Sequence, residues 1–516
     1  SRGLGDVYKR QLVKNPAKKE QKAVIHYHDI GDYLTREQKL KLVKDFRSIS
    51  SQKLEWQIIT PNDKADWINQ RDGVFDNLIP LFDKKGVSVF NHNGPAVATG
   101  RDVWVNNFSN SQLDDNINYL INNYNAQCRE FQTIKSQEKA LSVESFIDTD
   151  TTKVSWTRSL RNFLSRGTLL KFERERLMEC SYRPFCVTNL YYSPSLIESP
   201  GRCKDLFPQN TDKIILCVNG KGSNKDASAI ITHYIPDYQL QFNCQFYPLY
   251  WYEENKNPQG SLFDDAEPNR YIRHDGITDW ILKEVRNRFG GLRAITKEHI
   301  FYYVYGLLHS KQYRERFADD LKKSLPRIPI VDNVQDFMAF YKAGKELADL
   351  HLNYEQGINE QITGQDGDYP FYANMPMVAH RSLGIKVIGD IDIWNSKWTD
   401  ETYQYFAVEK MHFAKVRNKN GKLIADKKSI IYNGHIIIEN IPLKAYEYIV
   451  NGKSAIDWIM ERYAVTIDKA SQIKNDPNDW SQEHEQPRYI LDLLLSVIML
   501  SCQTVDIVNT LPKLNF

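Results

Sequence analysis

The run Tyr489-Ile-Leu-Asp-Leu-Leu-Leu-Ser-Val-Ile-Met-Leu500 constrains the fold more than any other stretch. A helix that is apolar on every side has no face to offer water, so the rest of the chain must enclose it. The run is too short to cross a bilayer and is broken by Asp492 and Ser496, so it reads as a buried helix, and no membrane is expected as a partner. At 516 residues the chain is long enough to build two to four domains, or one large irregular one, around such a helix.

Elsewhere the local period changes repeatedly. Residues 23–34 alternate like a strand, and Thr35 is placed to cap a helix opening at Arg36. Residues 87–108 read as short strands around the turns Asn93-Gly-Pro95 and Thr99-Gly-Arg-Asp102. Mixed segments continue to about 290, with strands near 213–219 and 239–251. A helical pair is expected at about 296–325, with Thr296 capping the first helix and Ser310 the second, Tyr313, Phe317 and Leu321 sharing a stripe, and Pro326 and Pro329 ending it. After a loose stretch at Gly364–Gly367, Asn420-Gly421 and Asn433-Gly434 predict hairpins within about 405–445, and a helical tail begins near 454. The order of elements predicts an α+β fold.

A net charge of +2 excludes a uniformly basic coat, so any nucleic-acid contact must come from local clusters of Lys and Arg. The seven cysteines form no C-x-x-C pair and are odd in number, which fits reduced thiols in a cytoplasm and argues against a zinc site. Residues 1–11 are a polar stretch unrelated in pattern to the rest of the chain; we read them as an assembly scar on a piece of a longer reading frame.

Catalytic patterns are incomplete. Gly452-Lys-Ser454 resembles the end of a phosphate-binding loop, but Glu447 stands where the loop needs glycine. Val218-Asn-Gly-Lys-Gly222 lacks dinucleotide-loop spacing and reads as a surface turn. Pro236-Asp237 with Glu254-Asn-Lys256 has the acidic, acidic-x-lysine order of a magnesium-dependent nuclease, a short pattern in a chain rich in these residues. His26 and His28 share a strand face without a third ligand nearby, so no metal is expected. The Asn/Asp-Pro-Pro-aromatic tetrapeptide with which amino-methyltransferases receive a flipped base is missing, so no catalytic residue is assigned.

Several segments resemble, in order, the C-terminal part of the Type ISP restriction-modification enzymes: Leu12-Val-Lys-Asn15 with His26-Tyr-His-Asp-Ile-Gly-Asp-Tyr-Leu34, then Thr99-Gly-Arg-Asp-Val-Trp-Val-Asn-Asn-Phe108, Ser155-Trp-Thr-Arg-Ser-Leu160 and Tyr182-Arg-Pro-Phe185. Tyr303-Val-Tyr-Gly-Leu-Leu-His-Ser-Lys-Gln-Tyr-Arg-Glu-Arg-Phe317, Leu325-Pro-Arg-Ile-Pro329, Leu350-His-Leu-Asn-Tyr-Glu355, Tyr448-Ile-Val-Asn-Gly-Lys-Ser454 and Asn475-Asp-Pro-Asn-Asp-Trp480 continue the match. These are single-chain bacterial proteins that join a nuclease, an ATP-driven DNA translocase, an adenine methyltransferase and a target-recognition domain. The resemblance implies that residues 12–105 end a methyltransferase α/β sheet and that 106–516 form the recognition domain. It implies double-stranded DNA as partner, a monomer, and S-adenosylmethionine, ATP and magnesium in the parent enzyme's upstream domains, with no cofactor in this chain.

Under that resemblance the basic residues become DNA-binding candidates. Arg158, Arg161 and Arg166 lie among Trp156, Tyr182 and Phe185, and we expect one of the first two to read a guanine edge, held in pose by an aromatic neighbour. Arg174 and Arg176 alternate with glutamates and fit a solvated ion-paired surface. Arg183 precedes Pro184 and suits a loop brace as well as DNA; Arg101 is a DNA candidate that Asp102 is placed to lock in a local ion pair. Lys221, Asn224 and Lys225 make a polar loop after a strand, suited to probing DNA. Lys311 to Arg327 reads as a structural helix pair. Two alternatives stand beside recognition: a self-sufficient nuclease using Asp237, Glu254 and Lys256, and a non-catalytic protein-interaction scaffold.

Overall fold

Side-chain caps start several of the helices where the sequence places them. The computed structural model describes residues 23–30, 34–63, 65–68, 72–138, 140–208, 211–255, 270–355, 383–389 and 399–515. Thr35 accepts from the Gln38 N–H while the Gln38 side chain answers the Thr35 N–H, opening helix Arg36–Phe46. Thr296 and Ser310 likewise accept from the N–H groups of His299 and Tyr313, starting Lys297–His309 and Lys311–Arg316. The second member of the pair breaks at Phe317 and resumes as Ala318–Lys323, with Tyr313, Phe317 and Leu321 all buried.

Two units divide the chain, Ser1–Arg71 and Asp72–Phe516. In the first, strand Ile25–Tyr27 pairs antiparallel with Gln57–Ile59, a shorter strand than the alternation of residues 23–34 suggests. His28 Nδ1 lies 3.0 Å from the Glu55 carbonyl, and His26 and His28 both meet the Trp56 ring edge-on. Residues 79–105, grouped by sequence with the segment before them, pair within the second unit: Ile79–Pro80 with Arg327–Ile328, and Gly94–Pro95 with Gln245–Pro248. The run Asp102–Val105 is one helical turn rather than strand, entered from Gly100 at φ +69° with Trp104 and Val105 pointing into the core.

Among the described residues the second unit contains three four-stranded sheets. In spatial order the first is Ile235–Pro236, Leu177–Arg183, Cys186–Tyr191 and Asn106–Asn107; the second is Gly94–Pro95, Gln245–Pro248, Ile215–Val218 and Ala229–Thr232. The third is Lys386–Ile388, Ile437–Glu439, Leu423–Ile431 and His412–Arg417, its turns formed by Asn420-Gly421 and Asn433-Gly434 as the dipeptides predict. Residues 364–367 lie outside the described residues.

The second sheet is buried on both faces. Ile215 and Cys217 of its inner strand join one apolar core with helices Asn110–Gln137, Ala455–Arg462 and Tyr489–Asn509. Leu216 and Val218 face the other way, into a core with Lys297–His309 and Val334–Leu352. Successive strand residues point to opposite faces, so a strand covered twice must be apolar throughout, as Ile-Leu-Cys-Val is. In the second core the two helices cross backbone to backbone: a Cβ on Gly344 would overlap the Tyr302 carbonyl, and one on Gly306 the Phe340 carbonyl. The C-terminal apolar run is indeed a buried helix, longer than its apolar signature. Both interruptions find a partner: Asp492 Oδ1 takes Arg488 at 3.0 Å, though its buried Oδ2 has none, and Ser496 donates to the Tyr354 carbonyl at 2.9 Å.

A second buried ion pair ties the first sheet to the turn beside it. Arg183 reaches Asp237 at 2.7 Å and Asp102 at 3.3 Å and lies 3.8 Å over the Tyr182 ring. Burial disfavours its charge, and Tyr182, Asp237 and Asp102 more than offset that. Burial pushes the Asp237 carboxyl up to about 7 against the pull of Arg183.

Gly344→Ala is expected to destabilise the protein by about 1–3 kcal/mol or more, read as a lower urea midpoint, because neither backbone at the crossing can withdraw. Arg183→Met should cost about 3–5 kcal/mol at neutral pH by leaving Asp237 buried without its cation. An acid raised in the folded state contributes stability that is full below its unfolded value and lost as pH rises through its folded one. Without Arg183 the carboxyl rises further, so the two profiles should fall together up to about pH 6, and above about pH 7, where the native profile levels off, the variant's melting temperature should go on falling. An unchanged pH profile in thermal melts would count against Asp237 as the responsible group.

Candidate nucleic-acid interface

Three of the arginines marked by sequence, Arg101, Arg158 and Arg183, converge on the turn at residues 99–102 and its Glu198 neighbour. Gly100 is pressed against Glu198 and the Thr157 methyl, leaving no easy room for a side chain. Thr157 caps helix Arg158–Ser165 by accepting from the Leu160 N–H, and it also accepts from Arg101 Nη2 at 2.6 Å. Ser159 donates to Glu198 at 2.6 Å. Burial pushes Glu198 up, but its bonds from Ser159 and Thr157, with Arg158 nearby, hold its carboxyl below the usual range. Turn, helix start and Glu198 thus form one bonded patch.

Within that patch the arginines differ. Arg101 is 4% exposed; burial draws its guanidinium down to about 10, Glu198 partly offsetting, and its Nε and Nη1 have no acceptor. Asp102 does not pair with Arg101, as sequence adjacency suggested, but with Arg183 and Thr99. Arg183 spends both terminal nitrogens inside the protein and, in the free chain, acts as the brace that was one of its two readings. Arg158 stands outside, its side chain 90% exposed and 4.0 Å from Glu198. Arg161 is half-buried with an unanswered Nε, and Arg166 is exposed at the far end of the same helix. Trp156 does not hold an arginine: its indole donates to the Asp148 carbonyl, and its ring packs on Tyr124.

Lys221, Asn224 and Lys225 form a second locus. Their loop comes after strand Ile215–Val218, with Gly220 against the Asn243 backbone and Gly222 at φ +81° donating to the Lys322 carbonyl at 2.8 Å. Ser223 Oγ accepts from the Lys225 N–H at 3.0 Å. The backbone is therefore fixed while all three side chains project to solvent, Lys225 laying its methylenes over Gly452. Gly452 itself, with Asn451 in the left-handed region, closes the tight hairpin of Ile449–Val450 and Lys453–Ser454. Lys453 pairs with Glu461 and Ser454 caps helix Ala455–Arg462, so the Gly-Lys-Ser triplet is structural.

The nuclease pattern does not assemble. Asp237 is buried on Arg183, Glu254 is exposed at a strand end, and Lys256 lies outside the described residues. Among the described residues no group of three or more His, Cys, Asp or Glu is placed to hold a metal. Sequence reasoning also passed over the basic charge of the His412–Ile431 hairpin, reading only its turn; a count of charge along the window would have found it.

The family model described as Type ISP C-terminal specificity domain matches residues 88–493. A nuclease-deletion mutant of the Type ISP restriction-modification enzyme LlaGI, in complex with a DNA substrate mimic, superposes with a TM-score of 0.72 at 34% identity, over 95% of this chain and 39% of that one. The ATP-dependent Type ISP restriction-modification enzyme LlaBIII bound to DNA gives 0.73 at 34% identity, over 95% and 28%. A DrdV–DNA complex shares the fold at 0.70 and 23% identity, over 96% and 44%. No curated protein matches the sequence. The chain spans less than half the length of the solved proteins it resembles, and it belongs to the Type ISP C-terminal specificity domain family.

Proposed function

We propose that this chain recognises the DNA target of a restriction-modification enzyme that methylates adenine and cleaves unmodified DNA. The observation that carries the reading is the 34% identity, over 95% of the chain, to two Type ISP enzymes captured with DNA or a DNA mimic. Methyl transfer, translocation and cleavage, with S-adenosylmethionine, ATP and magnesium, are assigned to other domains of the parent, and the chain acts as a monomer on double-stranded DNA. Residues 12–105 are assigned to the end of the methyltransferase and residues 106–516 to recognition.

The exposed side chains on fixed backbones are the DNA contacts. Arg158 and Arg166 flank a capped helix, and Lys221, Asn224 and Lys225 ride a loop whose backbone is already hydrogen-bonded, so little ordering entropy opposes contact. Arg158, which no aromatic ring holds, is assigned to phosphate rather than to a guanine edge. Arg101 brings buried nitrogen donors without acceptors to the turn, and Arg161 an unanswered Nε to the helix that Thr157 caps, available to an oxygen that approaches them.

Lys221→Ala with Lys225→Ala is expected to weaken duplex binding and to lower the slope of log K against log salt by up to about two units, at roughly 0.9 per phosphate released. Thermal stability should stay within about 0.5 kcal/mol, as for exposed positions generally. A fluorescence-anisotropy salt series beside a melt separates the two, and a large loss of melting temperature with unchanged binding would make the loop structural. Arg158→Ala should weaken cognate and scrambled duplexes alike, by about one unit of slope. A loss of about 1–3 kcal/mol confined to one sequence would instead make Arg158 a base reader.

A further inference from the structure

The strands His412–Arg417 and Leu423–Ile431 form a hairpin whose charge sets it apart. It carries Lys415, Arg417, Lys419, Lys422, Lys427 and Lys428 against the single carboxylate of Asp426, in a chain whose net charge is only +2. All six cationic side chains are exposed, and among the described residues none has a carboxylate within ion-pair distance, although Lys427 lies 4.9 Å over the Tyr446 ring. Elsewhere in the protein Lys345, Lys444 and Lys453 do find acidic partners.

Its geometry is that of an arm. At the base, Ile430 is buried and Phe413 packs on the core. The register then jumps: Phe413 faces Ile430, but the next residue, Ala414, faces Asp426, leaving Lys427, Lys428 and Ser429 looped out. This bulge is built rather than frayed, since the Lys428 N–H donates to Asp426 and its carbonyl accepts from the Ile441 N–H, both at 3.0 Å. A bulge bends its strand and re-aims what lies beyond. Beyond it, Ala414–Arg417 and Leu423–Asp426 form a two-stranded ribbon, its Val416–Ile424 pair left 42% exposed on each side. Lys415 and Arg417 share the opposite face, and Arg417 donates to the Gly421 carbonyl at 3.0 Å, bracing the tip that carries Lys419 and Lys422.

We propose that this ribbon is a DNA-contacting arm that lies along the duplex and neutralises phosphates; the inference rests on the DNA-recognition reading above. Unpaired lysines on a stiff projection are the footprint of a polyanion site, and a two-stranded ribbon has the width to follow the major groove. A protein partner fits less well, because lysine is depleted from protein–protein interfaces. Protection of an edge strand accounts for Lys415 and Arg417 on the outer strand, but not for cations at the tip and in the bulge.

The test uses the full chain and a labelled random-sequence duplex over a salt series. Lys415→Ala, Arg417→Ala, Lys419→Ala and Lys422→Ala together should weaken binding on the order of tenfold or more and lower the salt slope by about three to four units, with the melting temperature held. Lys→Arg changes at 415, 419 and 422 should retain binding. If the fourfold variant misfolds, Lys419→Ala with Lys422→Ala at the tip, outside the ladder, should still remove about two units of slope. A native chain that binds DNA, with hairpin variants of unchanged affinity and slope, overturns the arm and leaves the recognition reading standing. A native chain with no affinity for any duplex overturns both, and a variant that loses only its association with the parent's other domains makes the hairpin a protein contact and overturns the arm.

Discussion

The strand Ile215–Val218 is covered by an apolar core on each face, and most of the second unit is arranged by that requirement. One side must be filled by the helices Lys297–His309 and Val334–Leu352, which come close enough only because Gly306 and Gly344 meet backbone to backbone. The other side is filled from far along the chain, by helices Asn110–Gln137 and Tyr489–Asn509. The C-terminal helix also reaches the second core through Ile507. Truncation there would open both cores together.

Several charged groups inside this body are paired. Asp492 interrupts an otherwise apolar helix and would be costly alone; Arg488, one turn earlier, answers it. Asp237 and Asp102 share Arg183, which fixes the first sheet to the turn at 99–102. That turn in turn holds the start of helix Arg158–Ser165 through Arg101 and Thr157. The chain of contacts runs from a buried carboxylate to an exposed arginine, so rigidity in the core is passed to side chains facing solvent.

Cations divide into two populations on this frame. Those committed to carboxylates, such as Arg183, organise the fold. Those without carboxylates, on the 221–225 loop and the basic hairpin, cost little to display in water and gain much from a polyanion. A modest net charge is therefore compatible with a DNA-binding family member, because the surplus is concentrated rather than spread.

What the sequence by itself determined was local or compositional. Thr35, Thr296 and Ser310 cap helices because the cap bonds span three residues. Asn420-Gly421 and Asn433-Gly434 turn because those dipeptides suit turn backbone, and Tyr489–Leu500 is buried because it is apolar on every face but for Asp492 and Ser496. The family was legible because its motifs recur in order along the whole chain. Only the tertiary structure decided which arginines face solvent. Arg158 and Arg183 are equally basic in sequence, yet one is exposed and the other is enclosed by Asp102 and Asp237, residues 81 and 54 positions away. The same holds for the Asn451-Gly452-Lys-Ser454 hairpin and for the bulge that re-aims the basic ribbon. Pairing between distant segments sets the partner of each charge, and the local sequence carries no term for it.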